Sequence, residues 1–199
     1  EEDNNSVIFT TTLKDGEMGL PGNRSFTVTY TLTQENEVKI DYLVTSDHNT
    51  IINMTNHSYF NLAGHDSGNI LNHELQLNAS HYTPVVVGAI PTGEIATVID
   101  TPLDFTKSKA IGKEIGADFE QLKLVNGYDH NFVIDNFNGN IRKIAEVTEP
   151  TTGRNMKVFT DLPGVQLYTG NWVEHAKGKE SAIYEKRAGL CLETQYYPD

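Results

Sequence analysis

Four polar islands interrupt an otherwise strand-like sequence: "TNHSYFNL" at 55–62, "GYDHNF" at 127–132, "GVQLYTGNW" at 164–172 and "CLETQ" at 191–195. They carry Asn56 and His57, Asp129, Gln166 and Glu193, so acid, base and amide chemistry recurs close to aromatic residues. Any one island alone reads first as a hydrogen-bonded core residue or a polar surface position. Together they describe a site for a neutral polyol. Its hydroxyls need carboxylate and amide partners, and its C–H faces need an aromatic such as Tyr168 or Trp172. His57 has the most alternatives: a structural histidine, a metal ligand, or half of an acid–base pair.

Other site chemistries find little support. His57, His65, His73 and His81 recur every eight residues, which invites a metal reading. Zinc sites draw two ligands from a short-spaced pair such as H-x-H or H-x3-H, and the seven histidines contain none, so no metal is expected. There is no G-x-S-x-G elbow, and Cys191 lies in the apolar run "GLCLET", where a cysteine acts as a small hydrophobe. No phosphate-cradling glycine motif is found, and no cofactor is expected.

The elements that must position these residues are strands. In Phe26-Thr27-Val28-Thr29-Tyr30-Thr31-Leu32 apolar residues take every second place, and Val38, Ile40, Tyr42 and Val44 repeat the pattern. Such runs bury one face of an antiparallel sheet and wet the other. The polar "QENE" between them predicts a hairpin. Further strands are expected at 7–13, 50–57, 73–77, 142–147, 156–160, 165–169 and 189–194. Gly- and Pro-bearing turns separate several of these runs. One helical segment is expected at 107–122, from Ile111, Ile115 and Phe119, short or broken at Gly112 and Gly116. The prediction is an all-β sandwich or barrel, and one domain over 1–199.

The chain has 199 residues with 15 Lys and Arg against 27 Asp and Glu, a formal net charge of −12. That field repels phosphate backbones and anionic lipid, so no nucleic acid or membrane partner is expected and a neutral ligand is favoured. A single cysteine forms no intrachain disulfide and suits a reducing, cytoplasmic compartment. The acidic start "EEDNNSV" is unlike a secretory signal, although export after signal cleavage stays open.

The motifs "TNHSYFNLAG", "YTPV", "IPTGEIA", "GYDHNF", "GVQLYTGNW" and "CLETQYYPD" occur in the order found in aldose 1-epimerases (galactose mutarotases). The loop "DGEMGLPGN" also resembles that family's, so the resemblance runs from Asp15 to Asp199. It implies an antiparallel β-supersandwich that interconverts the α and β anomers of galactose or glucose without cofactor or metal. In similar proteins the histidine of "TNHSYF" is the general acid and the glutamate of "LETQ" the general base. Those roles carry to His57 and Glu193. The aspartate of "GYDHNF" and the glutamine of "GVQLYTGN" bind sugar hydroxyls there, which points to Asp129 and Gln166. Asn56 joins them as an expected substrate contact. Ring opening removes the proton of the C1 hydroxyl while the ring oxygen gains one. A carboxylate and an imidazolium on opposite sides of the acetal can do both.

The resemblance also has a gap. An earlier family segment, with a second histidine in a "LHGG"-like motif and a sugar-binding arginine, has no match, and the arginine role is not transferred to Arg24 of the "LPGN" turn. The chain therefore reads as the later part of such a domain, lacking its first strands. Exposed sheet edges then favour association or poor stability, and the chain alone is expected to be weakly active or inactive. Two rival readings stand: a non-catalytic carbohydrate-binding β-sandwich, and a relative acting on a phosphorylated hexose, which would need arginines near the site.

Overall fold

The computed structural model describes residues 5–198. Two compact units make up the chain, Glu1–Met54 and Thr55–Asp199. Regular structure in both is almost all antiparallel strand. The one α-helix among the described residues, α1 (Glu120–Leu124), is a single short segment. No helix among them is long and apolar enough to cross a membrane.

In the first unit, β1 (Ser6–Leu13), β2 (Arg24–Leu32) and β3 (Val38–Ser46) form a three-stranded meander. The period-two pattern sets its register, with Val28 opposite Phe9 in β1 and Tyr42 in β3. The predicted hairpin turn is closed by the Thr33 N–H donating to the Glu37 carbonyl. Arg24 is buried and donates to the carbonyls of Lys14, Glu17 and Gly22. It ties down the loop of its own unit.

The second unit holds the remaining strands: β4 (Glu74–Leu77), β5 (His81–Tyr82), β6 (Val85–Val86), β7 (Ile90–Pro91), β8 (Ala96–Thr97), β9 (Lys109–Ala110), β10 (Asp129–Val133), β11 (Arg142–Thr148), β12 (Asn155–Thr160), β13 (Gly164–Tyr168), β14 (Ala176–Lys177), β15 (Ile183–Tyr184) and β16 (Cys191–Gln195). A five-stranded sheet runs β16-β13-β10-β5-β8 and a four-stranded sheet runs β12-β11-β4-β9, while β6–β7 and β14–β15 are short ribbons. Phe132, Val165, Leu167 and Leu192 of the first sheet share one buried cluster with Leu75, Leu77, Ile144 and Val147 of the second. Each such side chain contributes about 1.5–3 kcal/mol on burial. Phe105 and Tyr128 meet edge-on in that cluster, ring centroids 5.0 Å apart.

Position 127 must be glycine. Its φ is 139°, and a Cβ there would collide with the Arg187 guanidinium. Arg187 is buried and donates to Thr169, Asn171 and the Asn126 carbonyl. This brace joins the start of β10 to the chain that follows β13.

Two expected elements do not form. Residues 50–57 make no strand, and at the end of that stretch the Asn56 carboxamide oxygen accepts the Ser58 N–H at 3.1 Å and turns the backbone locally. Regular pairing resumes only at Phe60, bridged to Leu190. Residues 107–122 are not one helix: they contain β9, a 3-10 turn at Ile111–Lys113 and the start of α1. Lys109 and Ala110 are committed to pairing with β4, and a Cβ on Gly112 would lie 2.9 Å from Leu71. Tertiary pairing overrides the helical spacing there.

Candidate active site

Strands β10, β13 and β16 are adjacent in the five-stranded sheet, and their registers put the polar islands side by side. Asn131 faces Gln166, which faces Glu193; one row along, Asp129 faces Tyr168, which faces Cys191. Because side chains alternate across a sheet, these residues share one face. His130, Phe132, Val165, Leu167 and Leu192 are buried, and all but His130 belong to the core cluster. The "GYDHNF" island is therefore a central strand with one catalytic-type face and one core face.

His57 comes from outside the sheet. Phe60 and Leu190 exchange two backbone hydrogen bonds, at 2.8 and 3.0 Å, which lays the segment after His57 against the entry to β16. The His57 Nε2 then lies 3.4 Å from Glu193 Oε1, and its Nδ1 lies 3.4 Å from the Cys191 Sγ. The imidazole side chain is 51% exposed, whereas that of Glu193 is 11% exposed. Tyr59 and Tyr168 pack around the imidazole at centroid distances of 5.1 and 5.9 Å.

His57, Tyr59, Tyr168 and Glu193 line a cavity of about 400 Å³ that also meets Asp129, Gln166, Trp172, Gln195, Thr83, Val85 and Pro91. Gln166 donates its amide N–H to Asp129 Oδ1 at 2.8 Å. Burial pushes the Glu193 carboxyl above its ordinary range; the nearby Asp129 charge adds to this and His57 opposes it. Burial also raises Asp129, with the Gln166 hydrogen bond and His57 working the other way. No Lys or Arg lines the cavity among the described residues.

Of the expected site residues, His57, Glu193, Asp129 and Gln166 converge. Asn56 does not line the cavity, and its side-chain oxygen serves the turn described above. The His57 imidazole and the Glu193 carboxylate lie side by side at the cavity wall. Cys191, read as a small hydrophobe, is buried but also touches His57. Burial raises its thiol strongly, which keeps it protonated and a hydrogen-bond partner for the ring rather than a ready metal ligand. His57, Cys191 and Glu193 do offer ligand atoms within 4.8 Å of one another. However, the thiol and the carboxylate approach different ring nitrogens, and one ion takes only one of these.

The other histidines nearby are structural. His73 accepts the Leu62 N–H at 2.9 Å, and burial lowers its pKa. His130 is buried beneath Asp129 and held neutral, its pKa lowered to about 4 by burial. Sequence reasoning missed Tyr59, Thr83, Asn131 and Gln195. Asn131 and Gln195 lie two residues beyond Asp129 and Glu193, the spacing by which a strand returns to the same face, whereas Tyr59 follows His57 in a stretch with no strand.

The aldose 1-epimerase family model matches residues 1–199. The chain is 44% identical to human galactose mutarotase over 198 residues, 98% of this chain and 55% of that protein. It is 37% identical to the aldose 1-epimerase of Escherichia coli K12, covering 100% of this chain and 57% of that one. The solved structure of an aldose epimerase homologue from C. elegans superposes with a TM-score of 0.87 at 28% identity, over 100% of this chain and 58% of that one. The chain thus spans little more than half the length of the relatives it matches. With that likeness running through every strand that builds the cavity, the chain belongs to the aldose 1-epimerase family.

Proposed function

We propose that this chain carries the acid–base centre of an aldose 1-epimerase that interconverts the α and β anomers of neutral aldohexoses such as galactose and glucose. Glu193 takes the proton of the C1 hydroxyl while His57 protonates the ring oxygen; the C1–ring-oxygen bond breaks, the aldehyde rotates about C1–C2, and reclosure reverses the two transfers. The observation that carries this reading is the 3.4 Å approach of His57 Nε2 to Glu193 Oε1 at the cavity wall. The hydroxyl oxygen and the ring oxygen are bonded to the same carbon, so their proton acceptor and donor must lie close together. A site that only binds sugar has no need of that pairing.

The surroundings fit a neutral ring. The raised Glu193 carboxyl makes a stronger base than an exposed carboxylate, nearer to matching a proton acceptor that works around neutrality. Asp129 and Gln166 offer acceptors and a donor to ring hydroxyls, and Tyr168 and Trp172 offer aromatic surface to C–H faces. A cavity without Lys or Arg among the described residues gives no counter-charge for a phosphorylated hexose. The net charge of −12 works in the same direction. A single catalytic domain acting in the cytoplasm, where the lone Cys191 thiol stays reduced, belongs to the same reading.

Polarimetry tests it. The protein that carries this chain is expected to accelerate the optical-rotation change of fresh α-D-galactose. Saturable galactose binding with no acceleration would leave only the binding-module reading.

A further inference from the structure

Two buried amides in the cavity wall have no role in the scheme above. Gln195 and Asn131 are 9% and 1% exposed. The Gln195 Nε2 donates to Gln166 Oε1 at 3.4 Å and to Asn131 Oδ1 at 3.2 Å. With the 2.8 Å bond from Gln166 to Asp129, this makes one continuous chain: Asp129, Gln166, Gln195, Asn131. An ionised carboxylate only accepts hydrogen bonds, so it dictates which end of the Gln166 amide faces it. The carbonyl of Gln166 must then face away, which requires the amino group of Gln195 there, and that amino group in turn fixes the carbonyl of Asn131. Reversing any member would set carbonyl against carbonyl or N–H against N–H.

The backbone is shaped for this chain. Gln195 is on β16 and Asn131 on β10, two strands apart with β13 between them. Neighbouring strands are about 4.8 Å apart, so side chains meet across an intervening strand only where that strand leaves a gap. The residue of β13 opposite Gln195 is Gly164, and a Cβ there would stand 2.5 Å from Asn131 Oδ1. The chain ends on Asn131 Nδ2, a buried donor with no partner among the described residues, and Thr83 Oγ1 on the same cavity is buried and unpartnered too.

Resting on the proposed epimerase reading, we propose that Gln195 and Asn131 are positioning residues that lock the orientation of the Gln166 carboxamide, and so the hydroxyl pattern the cavity accepts. The test compares Gln195→Met and Gln195→Glu with the unmodified protein in galactose mutarotation, KM and kcat being measured between about pH 5 and pH 8. Loss of one hydrogen-bond donor is expected to raise KM about tenfold in Gln195→Met at every pH, with kcat within about twofold. In Gln195→Glu the carboxylate would oppose two carbonyls, so KM is expected to rise at least tenfold near pH 8 and to recover towards pH 5, where a protonated carboxyl donates again. A merely structural role would give the same pH-independent change in both variants, and unchanged KM in both would likewise overturn the proposal. Side-chain amide hydrogen exchange on the same samples decides the positioning claim even if no epimerisation is seen, which would sink the functional reading alone. Gln166 Nε2 protons are expected to exchange slowly in the unmodified protein and faster in Gln195→Met. Equal exchange in the two would overturn the positioning role.

Discussion

Replacing Glu193 by Gln keeps the volume of the side chain and its capacity to hydrogen-bond while removing its basicity, so it isolates proton transfer from binding. Two effects could lower the rate. One is electrostatic: an imidazolium facing a carboxylate at 3.4 Å is worth about 5 kcal/mol at an effective dielectric of 20. The His57 side chain is half exposed, so solvent and salt screen most of that. The other is loss of the general base, which typically contributes about 10²–10⁴-fold, or about 3–5 kcal/mol of barrier. The second effect dominates, and the expected result is a fall in kcat of about 10²–10⁴-fold with KM little changed. Stability should move the other way. Burial raises the Glu193 carboxyl, so the folded chain holds that proton more tightly than the unfolded chain does. The resulting stabilisation is present at acid pH and lost as pH rises through the raised value, which leaves an ionised buried carboxylate as a cost at neutral pH. Gln removes that cost, and thermal unfolding should show an unchanged or raised Tm. Polarimetry across a pH series with calorimetry on the same samples reads both. A kcat within about threefold of the unmodified protein would refute the assignment of Glu193 as base.

Asp129→Asn removes a like charge that raises Glu193, so the acid limb of kcat/KM should move to lower pH, while the lost hydroxyl acceptor raises KM; an unmoved limb in the pH–rate profile would contradict the coupling. Arg187→Ala removes the charged donor that Asn171, Thr169 and the Asn126 carbonyl share and should cost about 3 kcal/mol or more in denaturant unfolding, since hydrogen bonds from a charged donor are worth about 1.5–3 kcal/mol each. Cys191→Ser preserves a partner for His57 Nδ1 and should keep activity within about threefold, whereas Cys191→Ala should lose more, because the ring is then held only through Nε2 and its Nδ1 loses its partner.

The legible parts of the fold were those whose pattern depends on one neighbour. The hairpin of β2 and β3 is written in alternating threonines and apolar residues, and the β11–β12 pair follows the same logic. Strand β10 hid because Asp129 and Asn131 alternate with a buried histidine, so neither face looked apolar throughout. The helical spacing of Ile111, Ile115 and Phe119 misled for the opposite reason. Those residues do pack against the core, but the backbone between them is held by β4 and by the close approach of Leu71 to Gly112. In the site, His57, Asp129, Gln166 and Glu193 could be named through the family's ordered motifs. Their convergence could not be read from spacing, because it depends on the register β10–β13–β16 and on the Phe60–Leu190 bridge. Asn131 and Gln195 carried a period-two signal whose meaning emerges only once both strands are known to flank Gly164.

A double-mutant cycle on His57 and Glu193 measures the pairing itself. His57→Asn and Glu193→Gln should each lower galactose mutarotation by orders of magnitude. The double variant should fall little further than the worse single one, because ring opening needs both transfers at once. Losses that multiply independently, or a near-normal rate in either single variant, would contradict the claim that the two residues act as one acid–base pair.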